Sequence, residues 1–201
     1  MAITKVNICN QALVFLGEKT IISLDDNTRQ GELCSTFFDN TRDTLLRSHP
    51  WNFALKRMAL TRDTVVPYGN EWDYQFILPA NYLRVLNTIP QRIPYRIEGN
   101  RLLTNESTMG IRYIYRNEDY NSWSPDFAQL VAARLALLLA HTITTKTGLI
   151  TQAFQWLKMV TQETKGIESQ EGSPETINSD NLIDARWLGQ STSQFVKDTL
   201  T

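Results

Sequence analysis

The sequence is poor in the residues from which catalytic and metal centres are most often built. Its two histidines, His49 and His141, lie far apart and in no ligand spacing, so a histidine metal site has no local signature. Two cysteines, Cys9 and Cys34, are too few for a disulfide framework. Both sit in apolar helical contexts and read as buried free thiols, which fits a reducing compartment. A basic excess is also missing. With 20 Lys+Arg against 21 Asp+Glu the formal net charge is -1, whereas a protein that wraps nucleic acid by counterion release carries a basic surplus or stripe. Nor is there a long hydrophobic run. The most apolar one, Leu135 to Ala140, is flanked by Arg134 and His141 and is too short to cross a bilayer. The start, Met1-Ala2-Ile3-Thr4-Lys5, has no signal-peptide core. We therefore expect a soluble product of the cytoplasm without a membrane partner.

The chemical motifs are equally sparse. There is no nucleophile elbow and no phosphate-cradling glycine loop. A Cys-His pair would need distant segments to meet. The paired carboxylates Asp25-Asp26 and Glu118-Asp119 fall in expected turns, where carboxylates commonly cap backbone N–H groups. A glycosidase-like acid and base drawn from them would need a cleft that the pattern does not indicate. The expectation is a non-enzyme with no cofactor and no metal.

What the chain does have is organisation. At 201 residues it can hold one domain with a real core plus an arm. Val6, Cys9, Leu13 and Leu16 recur at helical spacing, predicting a helix from about Thr4 to Leu16 with Gly17 as its cap. Asn27 or Thr28 caps a second helix with a stripe of Leu33, Cys34, Phe37, Phe38, Thr41 and Leu45, ending near Ser48 because Pro50 disfavours helix at His49. Ser124-Pro125-Asp126 is a helix start, and the helix should run to about Thr147 with Gly148 closing it. Being apolar on nearly every side around Leu135 to Ala140, it reads as the central core helix. A fourth helix, about Leu149 to Glu168, sets Ile150, Ala153, Phe154, Leu157 and Val160 on one face.

Between the helical halves the period changes to two. Tyr74, Phe76 and Leu78 alternate with Gln75 and Ile77, and Ile111, Tyr113 and Tyr115 with Arg112, Ile114 and Arg116. This predicts a half-buried antiparallel sheet with an aromatic face and an arginine-bearing face. Gly99-Asn100 is a two-residue hairpin signal, and Pro79, Pro90 and Pro94 mark strand ends. Arg84, Arg96, Arg101, Arg112 and Arg116 could form a nucleic-acid surface beside tyrosines. A solvated face with cross-strand pairing suits the near-neutral balance better.

After Gly166 the composition becomes linker-like, yet large apolar residues punctuate it: Leu182, Ile183, Trp187, Leu188 and Phe195 among them. Spaced anchors in an extended chain suit docking onto another surface. Some thirty residues could reach on the order of 100 Å. The alternative is that the tail packs on its own domain.

Several segments carry a resemblance. Asn7-Ile8-Cys9-Asn10-Gln11-Ala12-Leu13 with Leu16-Gly17, then Ile22-Ser23-Leu24-Asp25-Asp26, then Arg42-Asp43-Thr44-Leu45-Leu46-Arg47-Ser48-His49-Pro50-Trp51-Asn52-Phe53-Ala54 resemble the tail tubular protein A family, the head-to-tail adaptors of short-tailed bacteriophages. The N-terminal third carries most of the specificity, and the sheet and arm match in layout. The resemblance implies a homo-oligomeric ring, commonly twelvefold, in contact with the portal protein on one side and the tail nozzle protein on the other. It implies a lumen through which DNA passes and a place at the head–tail junction of the virion after assembly in the host cytoplasm. It carries over no catalytic residue. Read from the residues alone, Trp51-Asn52-Phe53 is a fold-determining corner. Trp and Phe two apart lie on one side of an extended segment and pin the sheet onto the helices, and Asn52 hydrogen-bonds the corner backbone.

The expected fold is thus α+β. A core of about four helices with an inserted antiparallel sheet at approximately 53–120 occupies 1–171, and an extended docking arm occupies 172–201. The expected work is binding. A virion-associated cell-wall hydrolase and a DNA-binding module are the rival readings.

Overall fold

The computed structural model describes residues 3–69, 71–143 and 147–171, and the architecture below is that of the compact unit Met1–Ser169. It is α+β. Four helices, α1 (Lys5–Phe15), α2 (Arg29–Ser48), α3 (Pro125–Ile143) and α4 (Thr147–Gln170), flank a β region of seven strands in chain order. These are β1 (Leu55–Ala59), β2 (Thr61–Arg62), β3 (Tyr74–Ile77), β4 (Tyr82–Ile89), β5 (Arg96–Glu98), β6 (Arg101–Thr104) and β7 (Gly110–Tyr115).

The helix starts are made by hydroxyl caps. Thr4 accepts from the Asn7 N–H at 3.2 Å, Thr28 from Gly31 at 3.1 Å and Ser124 from Phe127 at 3.2 Å, each satisfying a backbone donor that the helix itself cannot. α2 stops at Ser48 because His49, ahead of Pro50, is extended. The third helix is described as far as Ile143, and Gly148, expected to close it, lies in the first turn of α4. A proline-free run with no strong punctuation around 143–148 leaves such a boundary poorly marked in sequence.

α3 is the centre of the main core. Phe127, Leu130, Val131, Ala132, Leu135, Ala136, Leu139 and Ala140 are all essentially inaccessible. α1 and α2 pack against α3, contributing Ile8, Cys9, Ala12, Leu13, Phe38 and Leu46 to the same core. By length and composition α3 is apolar enough to cross a membrane, although its longest apolar run is short, and most of it is buried within the unit. A helix apolar on all sides belongs either in lipid or in a protein core, and the packing of α1 and α2 accounts for the apolarity here. α4 contributes a narrower stripe: Ala153, Val160, Thr164 and Glu168 are buried. Phe154, expected on that face, is 58% exposed, since one residue is a 100° step round a helix.

The β region is two antiparallel sheets where one was expected. One is three-stranded in the order β1-β7-β4, and the other four-stranded in the order β2-β3-β6-β5. The β5–β6 hairpin turns on Gly99-Asn100 with Gly99 at φ 59°. A positive φ at the first central residue is the II′ pattern, which glycine adopts without strain. Leu60, Phe76, Val85, Leu102, Ile111 and Tyr113 from both sheets form a second core. The expected aromatic and arginine faces of β7 are therefore both corrected in part. Ile111 and Tyr113 meet the second sheet, while Ile114, on the arginine-bearing side, is fully buried in the helical core. Central β7 is thus covered on both faces.

Ile114→Ala should cost about 2–5 kcal/mol of stability, since it opens a cavity where helices meet the sheet. Ile77→Ala, at a site 42% exposed, should cost roughly 0.5 kcal/mol or less. Urea unfolding of the two variants checks the contrast.

Candidate functional site

The residues singled out as a corner lie where α2 hands over to β1. Trp51 is fully buried, and its indole N–H donates to the Leu45 carbonyl at 2.9 Å, anchoring the ring to the last turn of α2. The segment after it is not extended as expected: Asn52–Ala54 is a 3-10 turn, with the Ala54 N–H on the Trp51 carbonyl at 2.9 Å. Both rings nevertheless reach one target. Trp51 and Phe53 lie 5.0 and 4.9 Å from the Phe127 ring of α3. Trp123 packs 4.9 Å from Phe127 and Tyr120 4.9 Å from Trp123, extending the cluster to Phe38 of α2 at 6.1 Å.

Further polar ties hold this corner. Asn52 is exposed, and its backbone N–H donates to the Glu168 carboxylate of α4. The side-chain amide of Asn117, a residue only 1% exposed, donates to the Phe53 carbonyl at 3.0 Å and the Ser122 hydroxyl at 2.7 Å. Neither Asn117 nor Glu168 was legible as a site residue. Asn117 stands in a polar Arg-Asn-Glu-Asp run that reads as loop, and Glu168 in a charged helix end.

A second polar centre ties α1, α2 and β7. Arg42, its side chain 5% exposed, lies 2.8 Å from Asp43, 3.4 Å from Asp39 and 3.2 Å from Glu118. Asp43 is shared with Arg116 at 2.8 Å and Asp39 with Lys5 at 3.0 Å. A buried guanidinium is tolerated because carboxylates surround it. Two more of the sheet arginines face carboxylates, whereas the Arg84 Nε is buried without a hydrogen-bond partner among the described residues. Arg101 lies 2.6 Å from Asp63, and Arg96 lies 3.7 Å from Glu71 and 3.4 Å from Glu98. The Val65 N–H, with the Arg101 guanidinium, holds the Asp63 carboxyl below its usual range.

Two of the carboxylates considered for chemistry cap backbone N–H groups. Asp26 accepts from the Ile22 and Ser23 N–H groups at 2.9 Å each, and Asp119 caps the short helix at Asn121. Cys9 and Cys34 are buried side by side between α1 and α2. Their mutual hydrogen bond, with burial, pushes the Cys9 thiol well above its ordinary value, and the same hydrogen bond holds the Cys34 thiol below its own. No cluster of three or more His, Cys, Asp or Glu able to hold a metal occurs among the described residues. The expected arm anchors Leu182, Ile183, Trp187, Leu188 and Phe195 lie outside the described residues. No family model matches the chain, and no curated protein matches it.

Two outcomes follow at the corner. Glu168→Ala should destabilise the protein by about 1 kcal/mol, because it removes the carboxylate that accepts from the Asn52 N–H at a part-buried site, and should speed amide exchange at Asn52 more than at Ile114. His49 is held below its ordinary value near 6.5 by burial and then by Lys165 and Arg84. The unfolded chain therefore takes up this proton first. The contribution is complete above about pH 6.5 and is lost as pH falls through the folded value. Urea midpoints between about pH 7 and pH 5 should fall less steeply in His49→Gln than in the parent.

Proposed function

We propose that this chain is a non-enzymatic assembly protein, one subunit of a homo-oligomeric ring, twelvefold in the virion. The ring joins the portal protein to the tail nozzle protein of a short-tailed bacteriophage and surrounds the channel through which DNA passes. The observation that carries the reading is the segment Arg42–Ala54. It holds the residues most similar to the head-to-tail adaptor family, and it forms the last part of α2, the aromatic corner and the buried Arg42 centre. A ring subunit needs such a rigid junction, because the curvature of a closed ring is set by small fixed angles between its interfaces.

The surface supports a binding role. Val65, Val66 and Tyr68 in the β2–β3 loop and Phe154, Met159 and Ile167 on α4 are large apolar residues between 45% and 109% exposed. The three on the β2–β3 loop fall within four residues of one another, the kind of apolar cluster that marks interaction surfaces. The C-terminal segment adds Trp187, Leu188 and Phe195, residue types that dominate interface energy when buried.

Particle mass and symmetry, measured by electron microscopy for the full chain alone and mixed with portal protein, test the proposal. The expected result is a ring seated on the portal. A chain ending at Gly172 should remain folded with an unchanged melting transition but fail to join the portal. A full chain that neither closes into a ring nor binds portal overturns the reading.

A further inference from the structure

The two cysteines of the chain lie on different helices and meet in the core. Cys9 is in the middle of α1 and Cys34 in the first third of α2, and both are 0% exposed within one apolar cluster. Their side chains hydrogen-bond to each other, and neither is in a disulfide. The surrounding contacts hold them face to face. Lys5, one turn before Cys9, lies 3.0 Å from Asp39, just over one turn after Cys34, so α1 and α2 run antiparallel with the cysteines at one level. On the other side, the Asn10 amide accepts from the Ile21 N–H at 2.8 Å and donates to the Ile21 carbonyl at 2.9 Å, which ties α1 to the connection leading into α2.

A single buried cysteine is a small apolar filler. Two in hydrogen-bond contact across a helix pair have a further chemistry. Closure to a disulfide brings the sulfurs to about 2 Å by rotating two short side chains. The pair is also polarised. Cys9 donates to the Cys34 sulfur, and that hydrogen bond holds the Cys34 thiol below its ordinary value. Thiolate character makes a sulfur reactive, so Cys34 is the one to react first, with Cys9 already against it.

We infer that Cys9 and Cys34 are an oxidisable pair which hydrogen peroxide converts to an intramolecular disulfide, a covalent latch between α1 and α2. The Cys34 sulfur attacks one peroxide oxygen. An S–O bond forms, the O–O bond breaks, and the released hydroxide leaves with the Cys34 proton as water. The Cys9 sulfur then displaces the hydroxyl of the Cys34 sulfenic acid. The S–S bond forms, the S–O bond breaks, and the hydroxyl leaves with the Cys9 proton as a second water. Two thiols are oxidised and one peroxide is reduced. Burial sets the rate, because peroxide reaches the pair when α1 opens locally. α1 is the shortest of the four helices, and its start depends on the Thr4 cap. The closed latch removes freedom from the unfolded chain between residues 9 and 34 and so stabilises the fold. The inference is independent of the ring reading.

Peroxide treatment of the full chain under native conditions tests it. Thiols titrated afterwards in denaturant should fall from two per chain to none. The mass should drop by two hydrogen atoms, with no cross-linked dimer on a non-reducing gel and an unchanged circular dichroism spectrum. In urea the folded-to-unfolded ratio should rise about a hundredfold and return on adding dithiothreitol. Thr4→Ala, which loosens the start of α1, should speed closure about fivefold at the same peroxide concentration. Cys9→Ala removes the resolving sulfur, so dimedone should trap a sulfenic acid at Cys34. The wild-type thiol count decides the matter even where that variant folds poorly. Thiols that stay free under peroxide until the chain unfolds overturn the inference. So does a disulfide between chains, or one that forms with loss of the native spectrum. A closure rate unchanged in Thr4→Ala overturns the gating by α1.

Discussion

Helix α3 buries most of its circumference. Phe127, Leu130, Val131, Leu135, Ala136 and Leu139 are all buried and need neighbours on several sides, while Gln129 and His141 mark the narrow side left to water. The small residues Ala128, Ala132, Ala136 and Ala140 let α1 and α2 come close. The aromatic corner covers the N-terminal end through Phe127, and α4 adds Val160. Burial of this kind is worth about 25 cal/mol per Å² of apolar surface, and it is what the rest of the chain is arranged to satisfy. The α4 contribution is thinner. It comes from a narrow stripe plus the Phe15–Trp156 stack at 4.4 Å and the Glu168 tie to the corner.

The corner converts that helical core into a platform for the sheets. Trp51 is held to α2 by its indole N–H, Phe53 to the β7 side by Asn117, and both rings to α3. β1 leaves the corner in a fixed direction and pairs along β7, whose alternate residues face two cores. A shift of one residue in that register would exchange Ile114 with Tyr113 and place the wrong side chain in each core. The buried Arg42 centre locks the same junction electrostatically. Ion pairs of this kind select a single arrangement more than they add stability, because losing water costs the charges about as much as their attraction returns.

The local signals in the sequence were good guides. Thr28 and Ser124 before their helices, Pro50 after α2 and Gly99-Asn100 in the hairpin act through nearby backbone, and the structure places each where its chemistry requires. The signals that failed depend on distant partners. Two sheets instead of one follow from Leu60 joining Phe76 and Leu102 in a second core, which no period-two pattern encodes. Asn117 and Glu168 look like ordinary surface residues until the fold closes over them. Phe154 follows the helical period loosely enough to be placed on the wrong face. At the corner, the burial of Trp51 and the packing of Phe53 were legible from residue type, while the turn geometry and the parts played by Asn117 and Glu168 were not.

The distribution of charge and apolar surface bears on where assembly resides. Arg96, Arg101 and Arg116 of the sheet region, like Arg42 of α2, face carboxylates of the same chain. The apolar groups left outward are concentrated instead, at the β2–β3 loop, the end of the three-stranded sheet and the outer side of α4. Each of these lies on a different element. The ring proposed above would call for several separate surfaces on one rigid unit, and the doubly covered strand β7 supplies rigidity, since both sheets share a core with it.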